Sequence, residues 1–374
     1  MREKRQADWS RPGFLHGRRH GLAAFAIVAG LAVFGAPATA QADSAQLPIT
    51  AMTYNLFQGT ELTEATAATT PSQLLAAVAN DYGQVQTTNF PERAQDIAAE
   101  VQAAAPDLIG VQEAALWQTG APSATYPPPP PSTFSYDFVK ILVDALNARG
   151  LHYAPVAVTN NFTVEGPGLF SSGFMSVQLT DRVAILARTD VPLTISHAQT
   201  GNFTHNTVLN TFTGPVTITG GWASVDATLG GHTVRFLTTH LDDASTSVGS
   251  AQAAEIVDGP LNTTMPVIMT CDCNATPASP AYAVLTGAGL KDAWAQAQPR
   301  LPGFTCCQDT SLQNALLNPA STLTSRIDYV FSRGGGLKAV GAQIVGADQA
   351  SRSTPSGFWP SDHAGLIAEL LQGS

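Results

Sequence analysis

Val267-Ile268-Met269-Thr270-Cys271-Asp272-Cys273-Asn274-Ala275 is an apolar run that ends abruptly in an acid and an amide. Its first six residues have the composition of a short buried strand, and the polar residues that follow fall where such a strand reaches the rim of a sheet. Side chains alternate along a strand, so Asp272 and Asn274 are expected on one face and Cys271 with Cys273 on the other. Each polar residue alone reads as an ordinary turn residue.

The same pattern recurs five times in this chain of 374 residues: Thr53-Tyr54-Asn55-Leu56, Ile109-Gly110-Val111-Gln112-Glu113, Thr238-Thr239-His240-Leu241, Arg326-Ile327-Asp328-Tyr329 and Ser361-Asp362-His363. The spacing predicts strands over residues 49–56, 108–112, 183–187, 216–229 with interruptions, 233–239, 267–272, 327–331 and 366–370. Helices are predicted over 92–105, where Ala94, Ile97, Ala98, Val101 and Ala105 share one face and Pro106 stops the element, and over 136–148 and 250–257. Strands outnumber helices and helices separate only some of them, which points to a mixed-sheet α/β protein rather than a regularly alternating barrel. Five consecutive prolines at 127–131 read as a stiff strut. No repeat or linker divides residues 45–374.

Residues 1–40 read as a secretory signal peptide. A basic stretch ends in Arg18-Arg19, a short apolar run follows from Leu22 to Phe34, and Ala38-Thr39-Ala40 closes it. The paired arginines loosely match a twin-arginine export signal. The expected location is therefore periplasmic or extracellular, with no transmembrane segment in the mature chain. Removing residues 1–40 takes away six basic and two acidic residues, which leaves 12 against 26 and a charge of −14. That charge opposes attraction to polyanions, although a bound divalent cation would supply local positive charge where a phosphate approaches. No stable nucleic-acid partner is expected, and the chain is expected to be a monomer.

Taken in order, the six motifs resemble the endonuclease/exonuclease/phosphatase superfamily, which includes pancreatic-type deoxyribonuclease, abasic-site repair nucleases, neutral sphingomyelinases and inositol-polyphosphate phosphatases. The resemblance spans about residues 47–371. It implies an α/β fold, a four-layer α-β-β-α sandwich of two mixed sheets, as a single catalytic domain over residues 41–374. The active site would lie where the strand-end loops of both sheets converge. One departure stands out: the family's Gly-Asp-Phe-Asn reads Cys271-Asp272-Cys273-Asn274 here, which keeps the two chemical residues and loses the glycine.

The chemistry fits the residue types. Phosphate esters resist attack because their oxygens are anionic, so hydrolysis needs a cation to neutralise them and a group to direct water. Glu113 and Asn55 offer hard oxygens suited to Mg²⁺ or Mn²⁺ rather than zinc. The resemblance makes Glu113 the principal metal ligand, with Asn55 and Asp362 nearby. It gives Asp272 the task of orienting or deprotonating the attacking water and Asn274 a hydrogen bond to phosphate or nucleophile. It makes His363 a phosphate-contacting histidine held by Asp328, and His240 a second histidine that contacts a phosphate oxygen or protonates the leaving group. Arg182, in Asp181-Arg182-Val183, has two open readings, a substrate-binding cation or a surface salt bridge.

Cys271, Cys273, Cys306 and Cys307 allow three pairings. Bridging the adjacent pair is strained, so the expectation is a link between the 271/273 pair and the 306/307 pair, worth about 3 kcal/mol in the chain-entropy model. A four-thiolate zinc site is the rival. The substrate is less legible. The function expected is an exported, metal-dependent phosphodiesterase acting on a small or lipid-derived phosphodiester, with a secreted deoxyribonuclease-like endonuclease and a non-catalytic binding protein on the same fold as alternatives. Residues 118–133 and 197–215 fall where the family varies its substrate loops.

Overall fold

The computed structural model describes residues 48–313 and 320–373; the segment read as a signal peptide lies outside them. Numbered along the chain, the eight-stranded first sheet runs β15 (Lys338–Val345), β16 (Gly365–Leu371), β1 (Ile49–Asn55), β2 (Leu108–Gln112), β6 (Gly173–Arg188), β3 (Leu116–Thr119) and β4 (Thr133–Asp137), with β5 (Tyr153–Phe170) also paired to β6. The second sheet runs β13 (Lys291–Asp292), β14 (Asp328–Arg333), β12 (Val267–Asp272), β11 (His232–His240), β10 (Gly221–Leu229) and β7 (Leu193–Asn202). A separate hairpin joins β8 (Thr207–Thr211) to β9 (Gly214–Ile218). Both large sheets are mixed, since β1 with β2 and β11 with β12 are parallel while the other pairs are antiparallel.

Three apolar clusters define four layers. Ile49, Ala51, Leu108 and Ile185 of the first sheet pack on Val225, Phe236, Ile268 and Val330 of the second. The first sheet's outer face, including Met52, Tyr54, Ile109 and Val111, is covered by α2 (Pro71–Thr87), α3 (Phe90–Ala104) and α4 (Phe138–Ala148). The second sheet's outer face, including Leu237, Met269 and Phe331, is covered by α5 (Thr246–Asp258) and α6 (Pro280–Gly287). Short α1 (Thr63–Ala67) adjoins α2, and α7 (Ala293–Ala297) packs on β14 and β15. This burial on both faces explains why β1, β2 and β12 read as continuous apolar runs rather than alternating ones.

The inter-sheet layer turns polar toward one end. Gln112 donates from Nε2 to Thr238 Oγ1 at 2.9 Å, and Thr53 Oγ1 donates to Gln112 Oε1 at 3.3 Å. Gly110 is required there: a Cβ would stand 2.1 Å from Thr270 Oγ1 and 2.5 Å from Thr238 Oγ1. Strand ends on this side therefore meet in a polar environment rather than an apolar one.

Several elements exceed their sequence signal. The helix α2 was not predicted, and the strand read at 183–187 is the last part of a long β5–β6 hairpin. No bond joins the two cysteine pairs in the way expected: Cys271 is bonded to Cys273, and Cys306 stands directly against Cys307. The Cys271 and Cys273 side chains lie in the apolar layer under α5 and α6, with Cα atoms 5.1 Å apart. Cys306 and Cys307 sit instead beside His363, on the other side of the second sheet.

Candidate active site

Strand register assembles the site. Across the second sheet, His240 pairs with Asp272 and Asp272 with Asp328, so β11, β12 and β14 present three functional groups on one rung. In the first sheet, Asn55 pairs with Gln112 and Glu113 follows directly. Glu113 has a φ of 48°, a left-handed backbone that a β-carbon makes costly, and the chain turns there. The two sheets meet through Asn55, whose Nδ2 donates to Glu113 Oε1 at 2.8 Å and to Asp272 Oδ2 at 2.9 Å. The Phe57 amide donates to Asn55 Oδ1 at 2.9 Å, and the Gln58 amide donates to Glu113 Oε2 at 2.7 Å.

Asn274 reaches the site by a different local route from the one its strand period suggests. β12 ends at Asp272, and Asn274 lies in the left-handed region at φ 46°, which asparagine tolerates. Its amide donates to Asp272 Oδ1 at 3.0 Å, and its Nδ2 lies 2.9 Å from His240 Nε2 and donates to Leu241 O at 3.0 Å. Acid and amide come together through a tight turn.

His363 is buried, with Nδ1 at 2.9 Å from Asp328 Oδ2 and Nε2 at 3.7 Å from Asp272 Oδ2. Burial disfavours its charge, but Asp328, Asp272 and Asp362 outweigh that and hold its pKa well above the ordinary histidine value. Burial pushes Asp328 up to about 6, against the pull of His363. Burial likewise raises Asp272, yet His363, His240 and the Asn55 amide leave its carboxyl below the usual range. His240 Nε2 lies 3.5 Å from Asp272 Oδ2; burial works against its charge, and Asp272, Glu113 and Asp181 raise its pKa. Asp328 thus favours the charged form of His363.

Asp362 is buried beside these groups, and burial lifts it to about 7, with Glu113 and Glu61 adding to the rise. Such a crowd of carboxylates is what a divalent cation would neutralise, and its hard oxygens suit one. Beyond burial, Glu113 and Glu61 crowd Asp362 closely enough to raise its pKa, whereas in the adjacent cluster of Asp272, Asp328 and His363 the imidazole favours its proton over a cation. The residues present fit a divalent cation.

Arg182 is spent elsewhere. Its Nε donates to Ala114 O at 2.7 Å, and its Nη2 donates to Ala115 O at 3.2 Å and to Asp137 Oδ1 at 2.6 Å. It forms a partly buried ion pair that braces the turn after Glu113 and the start of α4 rather than a surface salt bridge, and its Nε and Nη2 donors are taken up there. Its neighbour Asp181 faces the cavity that Glu113 and His240 line, and Asn161 donates to it from Nδ2 at 2.7 Å. Sequence reading missed both, because neither lies at the end of its strand; the strand period alone would have put Asp181 opposite Arg182. It also missed Arg93, whose buried guanidinium donates to Leu56 O, Phe57 O, Thr88 O and Pro360 O.

Comparison with known proteins agrees with this architecture. The model of the Endonuclease/Exonuclease/phosphatase family matches residues 52–363, and the chain belongs to that family. Its members are hydrolases acting on phosphate esters, and this chain is an enzyme of that class. Among solved structures, it is similar to a family protein from Bacteroides thetaiotaomicron, at 19% identity and a TM-score of 0.53, covering 88% of this chain and 99% of that one. It is similar to a mannosyl-6-phosphatase from Bacteroides thetaiotaomicron VPI-5482, at 18% identity and a TM-score of 0.53, covering 86% and 99%. A family protein from Leptotrichia buccalis gives 15% identity and a TM-score of 0.54 over 86% and 99%. These three likenesses support the four-layer fold. No curated protein matches the chain.

Proposed function

We propose that this protein is an exported phosphoesterase that uses Mg²⁺ or Mn²⁺ to hydrolyse a small or lipid-derived phosphodiester. The observation that carries the reading is the convergence of Asn55, Glu113, His240, Asp272, Asn274, Asp328 and His363 from two sheets into one polar cluster beside the cavity that Glu113 and His240 line. Export rests on the apolar run and small-residue site within residues 1–40.

Glu113, Asn55 and Asp362 would hold the cation, which when bound neutralises the phosphate oxygens and increases the electrophilicity of phosphorus. The buried imidazolium of His363, kept charged by Asp328, donates a hydrogen bond to a phosphate oxygen, where charge accumulates during attack. Asp272 accepts a hydrogen bond from the incoming water. Its depressed pKa makes it a weak base, so its main action is to orient that water and to hold both histidines. His240 stands on the opposite side of Asp272 from Asp328 and can protonate a leaving oxygen.

The cavity beside Glu113 is also lined by Glu61, Asp181, Asp242 and Asp243. Acids around the entrance repel a long polyanion, which favours a small ester over duplex DNA. The test is turnover of plasmid DNA, sphingomyelin, glycerophosphodiesters and p-nitrophenyl phosphate by purified protein with Mg²⁺ or Mn²⁺, together with calorimetric titration of Mn²⁺. Glu113→Gln should weaken Mn²⁺ binding by about tenfold or more and lower the rate accordingly. Full activity in EDTA would sink the reading.

A further inference from the structure

We infer that the catalytic cavity opens into a second, apolar compartment that receives an alkyl chain of the substrate, so that the enzyme acts on lipid-type phosphoesters. This rests on the phosphoesterase reading above and names where its substrate's apolar part goes.

The β8–β9 hairpin pairs only with itself and stands over the long β5–β6 hairpin. Its side chains alternate: Leu209, Thr211, Val216 and Ile218 are half-buried, while Val208, Asn210, Pro215 and Thr217 are exposed. The half-buried stripe faces a cavity of about 140 Å³ whose floor includes Val164, Val177 and Leu179 of β5 and β6, and whose wall includes Leu74 and Val78 of α2. Protein interiors are packed nearly as densely as organic crystals, so an aliphatic stripe roofing an aliphatic floor with space between them leaves apolar surface uncovered. An apolar ligand fragment would cover it.

The compartment adjoins the catalytic cavity. Leu62, Thr66, Phe162, Leu209 and Ile218 line both, and the catalytic cavity continues to Glu113, Asp181 and His240. The hairpin's base is tied to the same region, since Thr207 Oγ1 donates to Asp242 Oδ1 at 2.9 Å two residues after His240. A phosphoester bound with its phosphate at His240 and Glu113 therefore has one acidic neighbourhood and one apolar outlet. Phe212 lies at the lip of the outlet and is 48% exposed, which places an aromatic ring where a chain would leave water.

The probes are alkyl p-nitrophenyl phosphodiesters bearing methyl, butyl or octyl groups, kept below their aggregation concentration, with Mg²⁺ and the full protein. The expected kcat/KM rises from methyl to octyl by about thirtyfold or more, as burial of several methylenes requires. Val164→Trp in the floor and Val216→Trp in the roof, each checked for an unchanged melting temperature, should both cut the octyl-to-methyl ratio by about tenfold. Turnover of the methyl ester with no dependence on chain length would overturn this inference and leave the phosphoesterase reading standing. Folded tryptophan variants that keep the wild-type ratio would overturn it as well. Failure to cleave any of the three esters would overturn both.

Discussion

Replacing Arg93 by methionine tests whether one buried guanidinium holds the site together. Arg93 is fully buried in α3, between the rings of Phe90 at 4.9 Å and Phe57 at 5.7 Å. Its Nε donates to Thr88 O at 2.8 Å, its Nη1 to Leu56 O at 2.8 Å and Pro360 O at 2.7 Å, and its Nη2 to Phe57 O at 2.9 Å. Leu56 and Phe57 follow Asn55, and Pro360 precedes Asp362 and His363, so one side chain couples the two loops to which metal and phosphate contacts are assigned in the proposed function. Burial lowers its pKa to about 10, which leaves it charged at neutral pH. Arg93→Met keeps the aliphatic stem and deletes a donor from four carbonyls. At about 1 kcal/mol per lost bond the cost is about 4 kcal/mol, the relief of a desolvated charge offsetting part of a larger gross loss. For a folded unit of about 330 residues, Ala45–Ser374, the unfolding entropy of ~2.1 cal/mol/K per residue turns that into a fall in Tm of roughly 6 °C. Displacing Asn55 and His363 by about 1 Å should also lower kcat/KM by about 10². Arg93→Lys retains charge but not the planar fork, and should recover only a small part of either loss. Differential scanning calorimetry and steady-state kinetics on the same preparations give both numbers. A methionine variant with Tm within about 2 °C of wild type and full activity would refute the clamp.

Asp328→Asn should lower the rate by about 10² and His363→Ala by at least as much, with the double variant scarcely worse than His363→Ala, because an orienting carboxylate and its imidazole act as one unit; an active but destabilised Asp328→Asn would make that acid purely structural. Burial raises Glu100 from 4.5 to about 8, so the folded chain keeps a proton that the unfolded chain has released, and stability falls as pH rises from 4.5 toward 8. Glu100→Gln should therefore raise Tm at pH 8, by the equivalent of about 1–3 kcal/mol, with no gain below pH 4.5, and an equal gain at both pH values would contradict the assignment. Peptide mapping of unreduced protein should recover Cys271 joined to Cys273; peptides joining either of them to Cys306 or Cys307 would establish the cross-link expected from the sequence instead.

The strand ends were legible because a short buried strand announces itself by composition, and the first polar residue after it marks the rim. That is why Asn55, Glu113, His240, Asp272, Asp328 and His363 could be named from the sequence, and why β1, β2, β11 and β12 fall close to their expected bounds. Asn274 was found for an incomplete reason, since a left-handed turn rather than strand alternation carries it to His240. The helix α2 escaped because its buried residues Ala77, Val78, Asp81, Tyr82 and Val85 include an acid and a tyrosine, and its sequence carries no strong apolar stripe. Local sequence also gave Arg182 and Arg93 no distinguishing mark. Both are arginines that donate to backbone carbonyls from loops distant along the chain, Arg93 reaching Pro360 across 267 residues. Such contacts depend on register and on layer packing, which no short window contains. The partition of the cysteines was decided in the same way: alternation along β12 sends Cys271 into the layer under α5 and α6, while Cys306 is placed against His363 on the other side of the sheet. The sequence by itself determined which residue types stand at the rim of the sheets. Only the tertiary structure decided which of them share a rung, which arginine is a brace, and where an apolar hairpin leaves room beside the acids, because those relations arise from pairing strands far apart in the chain.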